Sequence, residues 1–516
     1  MSLLLGIDVG TGGTRALVVD ERGGIVASAT AEHAPFASPQ TGWAEQDPHD
    51  WWRATREAVH AVLTQPGVSA DAIAAIGLSG QMHGSTLLDA SDQVVRPALL
   101  WCDQRTHRQC QQITETIGAA RLIQLTFNPA LTGFTAPKLL WVREHEPDTW
   151  QNVRSVLLPK DYVRFRLTGH KATDVADASG TLLFDVGARE WSDTMLRELE
   201  LKPSLMPEAF ESPMVTGSVS PAGAEATGLT VGTPVVAGGG DQAAGAVGMG
   251  IVRAGAVSAT IGTSGVVFAA TDRPVLEPGG RIHTFCHAVP GRWHVMGVTL
   301  GAGLSLRWFR DQFGAGQSDV AAGLPPRDPY DLMTEAAATA PVGSDGVLWA
   351  PYLMGERTPH LDPHARAALV GLSGSHTRAH VVRAVLEGVA FSLKDSFSIF
   401  EAMQVPVSHV RLGGGGARSD LWRRIQADTY GYPVEIVAAE EGAAYGAALL
   451  AGVGAGVWRT VDEACDAVVR VVTRIEPNAT NRATMARQYE RFKALYPALR
   501  GLDNREGAMT RRRQLT

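Results

Sequence analysis

Leu3–Asp20 reads LLLGIDVGTGGTRALVVD. Two apolar, β-leaning runs flank Gly10-Thr11-Gly12-Gly13, the pattern of a strand, a tight glycine loop and a second strand folded back as a hairpin. Glycine reaches positive φ and carries no side chain, so such a loop can bring backbone N–H groups close to an anion. Asp8 stands just ahead of the loop, and a carboxylate there repels polyphosphate unless a divalent cation lies between. The stretch therefore fits a Mg²⁺-dependent phosphate cradle, with Asp8 toward the metal. It fits an ordinary N-terminal hairpin equally well.

A second copy separates the two readings. Val257–Ala270 reads VSATIGTSGVVFAA, where Ile261-Gly262-Thr263-Ser264-Gly265 echoes Val9 to Gly13 between two further β-like runs. Two such loops in two halves point to two related lobes serving one nucleotide. Neither loop carries the lysine of a P-loop, and no GxGxxG opens a dinucleotide-binding βαβ unit. The pattern resembles the actin-like ATPase fold. The expected architecture is α/β, with two actin-like (ribonuclease H-like) lobes and an ATP cleft between them.

With 516 residues, 45% of them hydrophobic and 19% charged, the chain exceeds what one hydrophobic core usually serves. We expect an N-terminal lobe over residues 1–245, a C-terminal lobe over 246–500 and a flexible tail over 501–516 that includes Arg511-Arg512-Arg513. A net charge of −7 gives no electrostatic reason to expect nucleic acid or an anionic membrane as partner. Four cysteines without a CxxC pair suit a reducing compartment, and no apolar run reaches membrane-spanning length. A cytoplasmic protein is the expectation, with a homodimer as one form open to it.

Between the loops lie further candidates. Asp47-Pro48, with Asp50 following, starts a helix, and Trp43, Trp51 and Trp52 beside it read as core anchors before they read as sugar platforms. Ile73 onward reads as a strand entering the turn Ser79–Gly84, which places Met82 and His83 at a strand end. Trp101, Asp103 and Arg105 follow, a set suited to stacking on and hydrogen bonding a polyhydroxylated ligand. Gly133–Pro147 reads as a helix entered through Pro137, and Leu157–Asp185 as a helix followed by a short β excursion, both assigned to packing. At Val235 a strand runs into Gly238-Gly239-Gly240, and a small-residue helix begins at Asp241. An N-cap role accounts for Asp241, and a base role competes with it if the reaction is phosphoryl transfer to an alcohol. A long helix from about Thr377, four glycines at 413–416 between strand and helix, and a small-residue helix over 440–454 complete the second half.

The segments GIDVGTGGT, GWAEQDPHDWW, GLSGQMHG, GFTAPKLLWV, LLPKDY, VVAGGGDQAAGAVG, IGTSG, TFCH, PYLMGERTPH and GGGGARS occur in this order from Leu3 to about Tyr496. Together they resemble the FGGY carbohydrate kinases. The resemblance implies that Asp241 is the catalytic base, that Asp8 lies near Mg²⁺, and that Met82, His83, Trp101, Asp103, Asp241 and Gln242 contact the sugar. It implies that Thr11, Gly12, Gly13, Thr14, Gly262, Thr263, Gly414 and Gly415 belong to the ATP loops. Gly12-Gly13, Cys102 and Gln242 depart from the family's commoner residues. The expected activity is ATP-dependent phosphorylation of a ketopentose, D-xylulose first. Alternatives are a polyol or sugar-acid kinase on the same fold and, from another class, an actin-like nucleotide sensor or scaffold.

Overall fold

The computed structural model describes residues 2–313, 327–438 and 442–503. The chain forms two compact units interleaved in sequence: residues 1–253, 270–295 and 439–470 build the first, and 254–269, 296–438 and 471–516 the second. Leu495–Asp503 is helical, and the Arg511-Arg512-Arg513 run lies outside the described residues.

The expected hairpin is present. β1 (Leu3–Val9) and β2 (Gly13–Asp20) pair antiparallel, with Asp8 opposite Arg15, and β3 (Ile25–Glu32) extends the sheet. α1 (Pro48–Leu63) starts as read, its N-cap Asp47 side chain accepting from the His49 N–H. β4 (Ile73–Gly80) then lies parallel to β1. α2 (Thr135–His145) begins two residues before Pro137, and α3 (Pro159–Thr168) follows. The β excursion after α3 is brief. Ala172–Asp174 is extended, and the chain then turns helical at Val175–Ala178 because the Asp174 carboxylate caps the Ala176 and Asp177 N–H groups. β5 (Val215–Ser218) and β6 (Pro234–Val236) complete the sheet in the order β5-β6-β4-β1-β2-β3, and α4 (Asp241–Gly248) follows.

The side-chain period of two divides this sheet between two cores. Leu3, Leu5, Ile7 and Val9 of β1, with Ala16 and Val18 of β2, join Trp51, Trp52, Val59 and Val62 of α1. The tryptophans at the α1 start are thus core anchors: Trp51 is fully buried and its indole N–H is held by Gln46 Oε1 at 3.0 Å. Leu4, Leu17 and Val19 face the other way.

In the second unit, β7 (Gly255–Ile261) and β8 (Gly265–Thr271) repeat the hairpin. After α5 (Ala302–Phe313), α6 (Pro329–Ala338) and the long α7 (Arg378–Ala402), β9 (Val407–Gly414) lies parallel to β7. α8 (Asp420–Tyr430) leads to β10 (Val434–Val437), parallel to β9. The relative directions in β8-β7-β9-β10 match those in β2-β1-β4-β6, so the two units share one plan.

α9 (Gly442–Gly454) returns to the first unit, where Ala444, Ala448 and Leu449 meet Leu4, Leu17 and Val19. The fit is backbone to backbone. A Cβ on Gly6 or Gly77 would lie 1.9 Å from a carbonyl oxygen of α9, and one on Gly446 would lie 1.8 Å from the Ala244 oxygen of α4. The last strand, β11 (Val471–Ile475), pairs antiparallel with β10.

Candidate active site

In the first unit, parallel pairing aligns three chain segments at their C-terminal ends, the position where open α/β sheets bind ligands. Asp8 of β1 is level with Ser79 of β4, and Ser79 is level with Gly239. One step beyond, Gly240 holds the N-cap position of α4 and Asp241 is its first helical residue. Asp241 is therefore not the cap. Its carboxylate accepts from the Gln242 backbone and side-chain amides, yet burial, reinforced by the negative charge of Asp8, pushes its pKa up to about 7. Burial also raises the Asp8 carboxyl, opposed by the neighbouring Ser79 hydroxyl and the Arg15 charge. Asp8 Oδ1 is enclosed without a hydrogen-bond partner. Two desolvated carboxyls, one of them raised further by the charge of the other, define a place where a cation or a proton is held.

Met82 and His83 reach the same place. Gln81 continues the sheet by donating its N–H to the Val9 oxygen, and His83 then adopts a left-handed backbone with φ 68°. A Cβ on Gly240 would sit 2.8 Å from Met82 Cγ, and one on Gly180 would sit 2.5 Å from the His83 ring. Gly240 leaves the space that Met82 fills next to Asp241, and Gly180 the space that the His83 ring and the Met82 tip fill. The Trp101 indole, 41% exposed, donates its N–H to Thr11 Oγ1 at 3.0 Å, and Thr11 Oγ1 in turn donates to Gln81 Oε1 at 3.1 Å. This chain of bonds ties the glycine loop to the strand end that carries Met82 and His83.

Other expected residues face elsewhere. Asp103 is fully buried, accepts from the Ala44 N–H at 2.7 Å and is clamped by Arg105, whose guanidinium lies 3.6 Å over the Trp43 ring. The two brace the loop behind Trp101. Thr14 is buried, with its hydroxyl 2.9 Å from His33 Nε2, and a Cβ on Gly13 would meet the Ala31 oxygen at 2.7 Å. Gly12 alone of the first loop faces open space.

The second unit carries a pocket of about 280 Å³ built on its own glycine turn. Gly262 and Thr263 line one side, and the α5 N-terminus supports them through Gly303 N to Gly262 O and Leu304 N to Thr263 O bonds of 2.8 and 3.1 Å. Gly415 and Gly416, at the end of the neighbouring strand β9, line the pocket as well. Gly414 precedes them at φ 69°, where a Cβ would meet the Ile261 oxygen at 2.5 Å. Arg307 of α5 and Tyr330 and Asp331 of α6 close the pocket, offering a cation, a ring and a carboxylate. This lining suits a nucleoside with its phosphates on the glycine turn.

Sequence reading passed over one group. Lys160, Asp161, Asp174 and Asp177 are all fully buried, with Lys160 Nζ 2.5 Å from Asp161 and 2.6 Å from Asp174. Burial holds the Asp177 carboxyl well above its usual range, and the Asp241 charge adds to the effect. The signal was available in Asp174-Val-Ala-Asp177, two acids in an otherwise apolar run, but nothing local shows that it folds beneath Gly240.

Residues 3–248 match the N-terminal domain of the FGGY family of carbohydrate kinases, and residues 257–455 match its C-terminal domain. The chain belongs to that family, and the expected two-unit actin-like α/β architecture holds. It is 40% identical to a xylulose kinase of Escherichia coli, over 96% of this chain and 99% of the relative. Identity to a xylulose kinase of Bacillus subtilis is 38%, over 98% of each. Among solved structures, a xylulose kinase from Rhodospirillum rubrum superposes with a TM-score of 0.88 at 29% identity, covering 97% of this chain and 100% of that one.

Proposed function

We propose that this chain transfers the γ-phosphoryl group of ATP to the terminal hydroxyl of D-xylulose, giving D-xylulose 5-phosphate, as a cytoplasmic enzyme. The observation that carries the reading is Asp241: a carboxylate at the first turn of a helix, relieved of capping duty by Gly240, its pKa pushed up to about 7 by burial and the Asp8 charge, one residue on from the Gly240 that Met82 packs against. A base in that range takes a hydroxyl proton at neutral pH and releases it afterwards. Met82 and His83 orient the sugar, and the exposed Trp101 offers a ring face to its carbon chain. The pocket on Gly262-Thr263 and Gly415-Gly416 holds the nucleotide.

The donor set fits Mg²⁺. Asp8 Oδ1 is a buried acceptor without a partner, and among the described residues no group of three or more His, Cys, Asp or Glu side chains forms an all-protein cage. Mg²⁺ characteristically takes one or two carboxylates and completes its shell with water and phosphate oxygens. Asp8 would hold the ion, which when bound supplies positive charge to the phosphates.

The test is Asp241→Asn. A base contributes about 10²- to 10⁴-fold in rate, so turnover should collapse while thermal stability and D-xylulose affinity stay near wild type. Turnover within a few-fold of wild type rejects the assignment. A panel of ketopentoses, polyols and sugar acids, read as sugar-dependent ADP release, tests the substrate: activity confined to glycerol or gluconate rejects D-xylulose, and the absence of any sugar stimulation favours a nucleotide sensor.

A further inference from the structure

His83 is one of the few residues other than glycine with positive φ, and it stands next to a glycine that does not need that conformation. L side chains adopt it rarely, so neighbouring groups must hold it there. Four contacts do so. The His83 carbonyl oxygen accepts two hydrogen bonds from the first turn of α2, from Lys138 Nζ at 2.9 Å and from Thr135 Oγ1 at 3.1 Å. The ring lies with Nδ1 2.7 Å from the Gly180 oxygen, and Phe134 packs edge-on against it at 5.0 Å.

Lys138 is otherwise hard to account for. Its side chain is fully buried, its other hydrogen-bond acceptor is the Gly133 carbonyl at 2.7 Å, and it sits near the N-terminal end of a helix, where a cation is disfavoured. Burial lowers its pKa to about 7, against the opposing pull of Asp103. A methionine would fill the same volume without desolvating an amine. The amine does what methionine cannot: it donates to the carbonyl of a strained peptide.

We propose that Lys138 and Thr135 are positioning residues for sugar binding, holding the His83 peptide in its left-handed turn so that the imidazole is presented to the substrate. The inference rests on the reading of His83 as a sugar contact, and neither residue touches sugar in it. Lys138 and Thr135 act only through His83, so their loss should matter only while the ring is present.

A double-mutant cycle reads this directly. In the full chain, Lys138→Met should raise the KM for D-xylulose about ten-fold, as expected for one charge-assisted hydrogen bond. The KM for ATP should not change, and kcat at saturating sugar should fall far less than KM rises. His83→Ala should raise the sugar KM at least as much. Adding Lys138→Met to His83→Ala should raise it no further. Thr135→Val, which leaves the amine in place, should give a smaller shift in the same direction and the same lack of additivity, and it serves if Lys138→Met does not fold. Fully additive losses, or a lowered Tm with the sugar KM unmoved in both α2 variants, overturn the proposal. If His83→Ala itself leaves the sugar KM unchanged, the reading of His83 as a sugar contact fails and the proposal with it. If His83→Ala raises KM and the α2 variants do not, the proposal alone fails.

Discussion

Asp8 ends a strand and Asp241 begins a helix, and that difference decides what each carboxylate can do. The last residue of β1 but one is fixed by ladder bonds on both sides and offers a rigid acceptor, whereas Asp241, at the first turn of α4, is buried near the Asp8 charge and loses its proton only near neutrality. Asp8→Asn should therefore weaken the response to Mg²⁺ and lower turnover while leaving sugar affinity nearly intact. A Mg²⁺ titration at saturating D-xylulose checks this, and an unchanged half-saturating concentration rejects the metal role. A different buried acid governs stability. In the second unit Glu356 accepts from Thr299 Oγ1 at 2.6 Å, Leu300 N at 2.9 Å and Arg357 N at 2.8 Å, yet burial outweighs these bonds and lifts its pKa from 4.5 to about 7. Between those values the folded chain keeps a proton that the unfolded chain has lost. Stability must then fall as pH rises through the window, by up to about 3 kcal/mol for this one group. Glu356→Gln should remove its share, so that denaturant midpoints measured at pH 5 and pH 8 lie closer together than in wild type. An undiminished difference contradicts the shift.

Elements with strong local punctuation were legible before the fold was known. The glycine hairpins, the Asp47-Pro48 helix start and the glycine turn at 413–416 depend on residues within a few positions of one another. The helical turn at Val175–Ala178 was not legible, because four residues carry no periodicity and a single capping acid decides them. Asp103 read as a sugar ligand for a related reason. Composition shows a polar residue beside tryptophan, but only the packed loop shows that Arg105 and the Ala44 N–H occupy its carboxylate. The small-residue helix α9 read as closely packed, and the structure gives the reason: its carbonyls touch Gly6 and Gly77, and its Gly446 touches the carbonyl of Ala244 in α4. Gly446→Ala should cost about 3 kcal/mol, at the upper end for an added core methyl, since the groups in its way are backbone and cannot rotate aside. α4 carries Asp241, so turnover should fall as well. Gly374→Ala, where a Cβ meets nothing within 4 Å, is the matched control and should change neither.

For the whole molecule, the interleaving of the units sets what can be separated. Residues 1–245 contain β1, β4 and the first turn of α4, but not α9, which covers the Leu4 and Ala75 face of their sheet. That fragment expressed alone should aggregate or stay molten, because it exposes a core face. Supplying residues 270–295 and 439–470 in fusion after residue 253 should restore a cooperative thermal transition. If the 1–245 fragment unfolds cooperatively by itself, α9 is an accessory and the account of its packing is wrong. The same closure by a late segment bears on how the protein is made. At about 5–20 residues per second, a ribosome that has finished Val295 needs on the order of ten seconds or more before α9 emerges, and the sheet of the first unit must wait with one face bare. A nascent chain of this design carries an open apolar sheet face over that interval, and a message broken anywhere before codon 442 leaves that face without its cover.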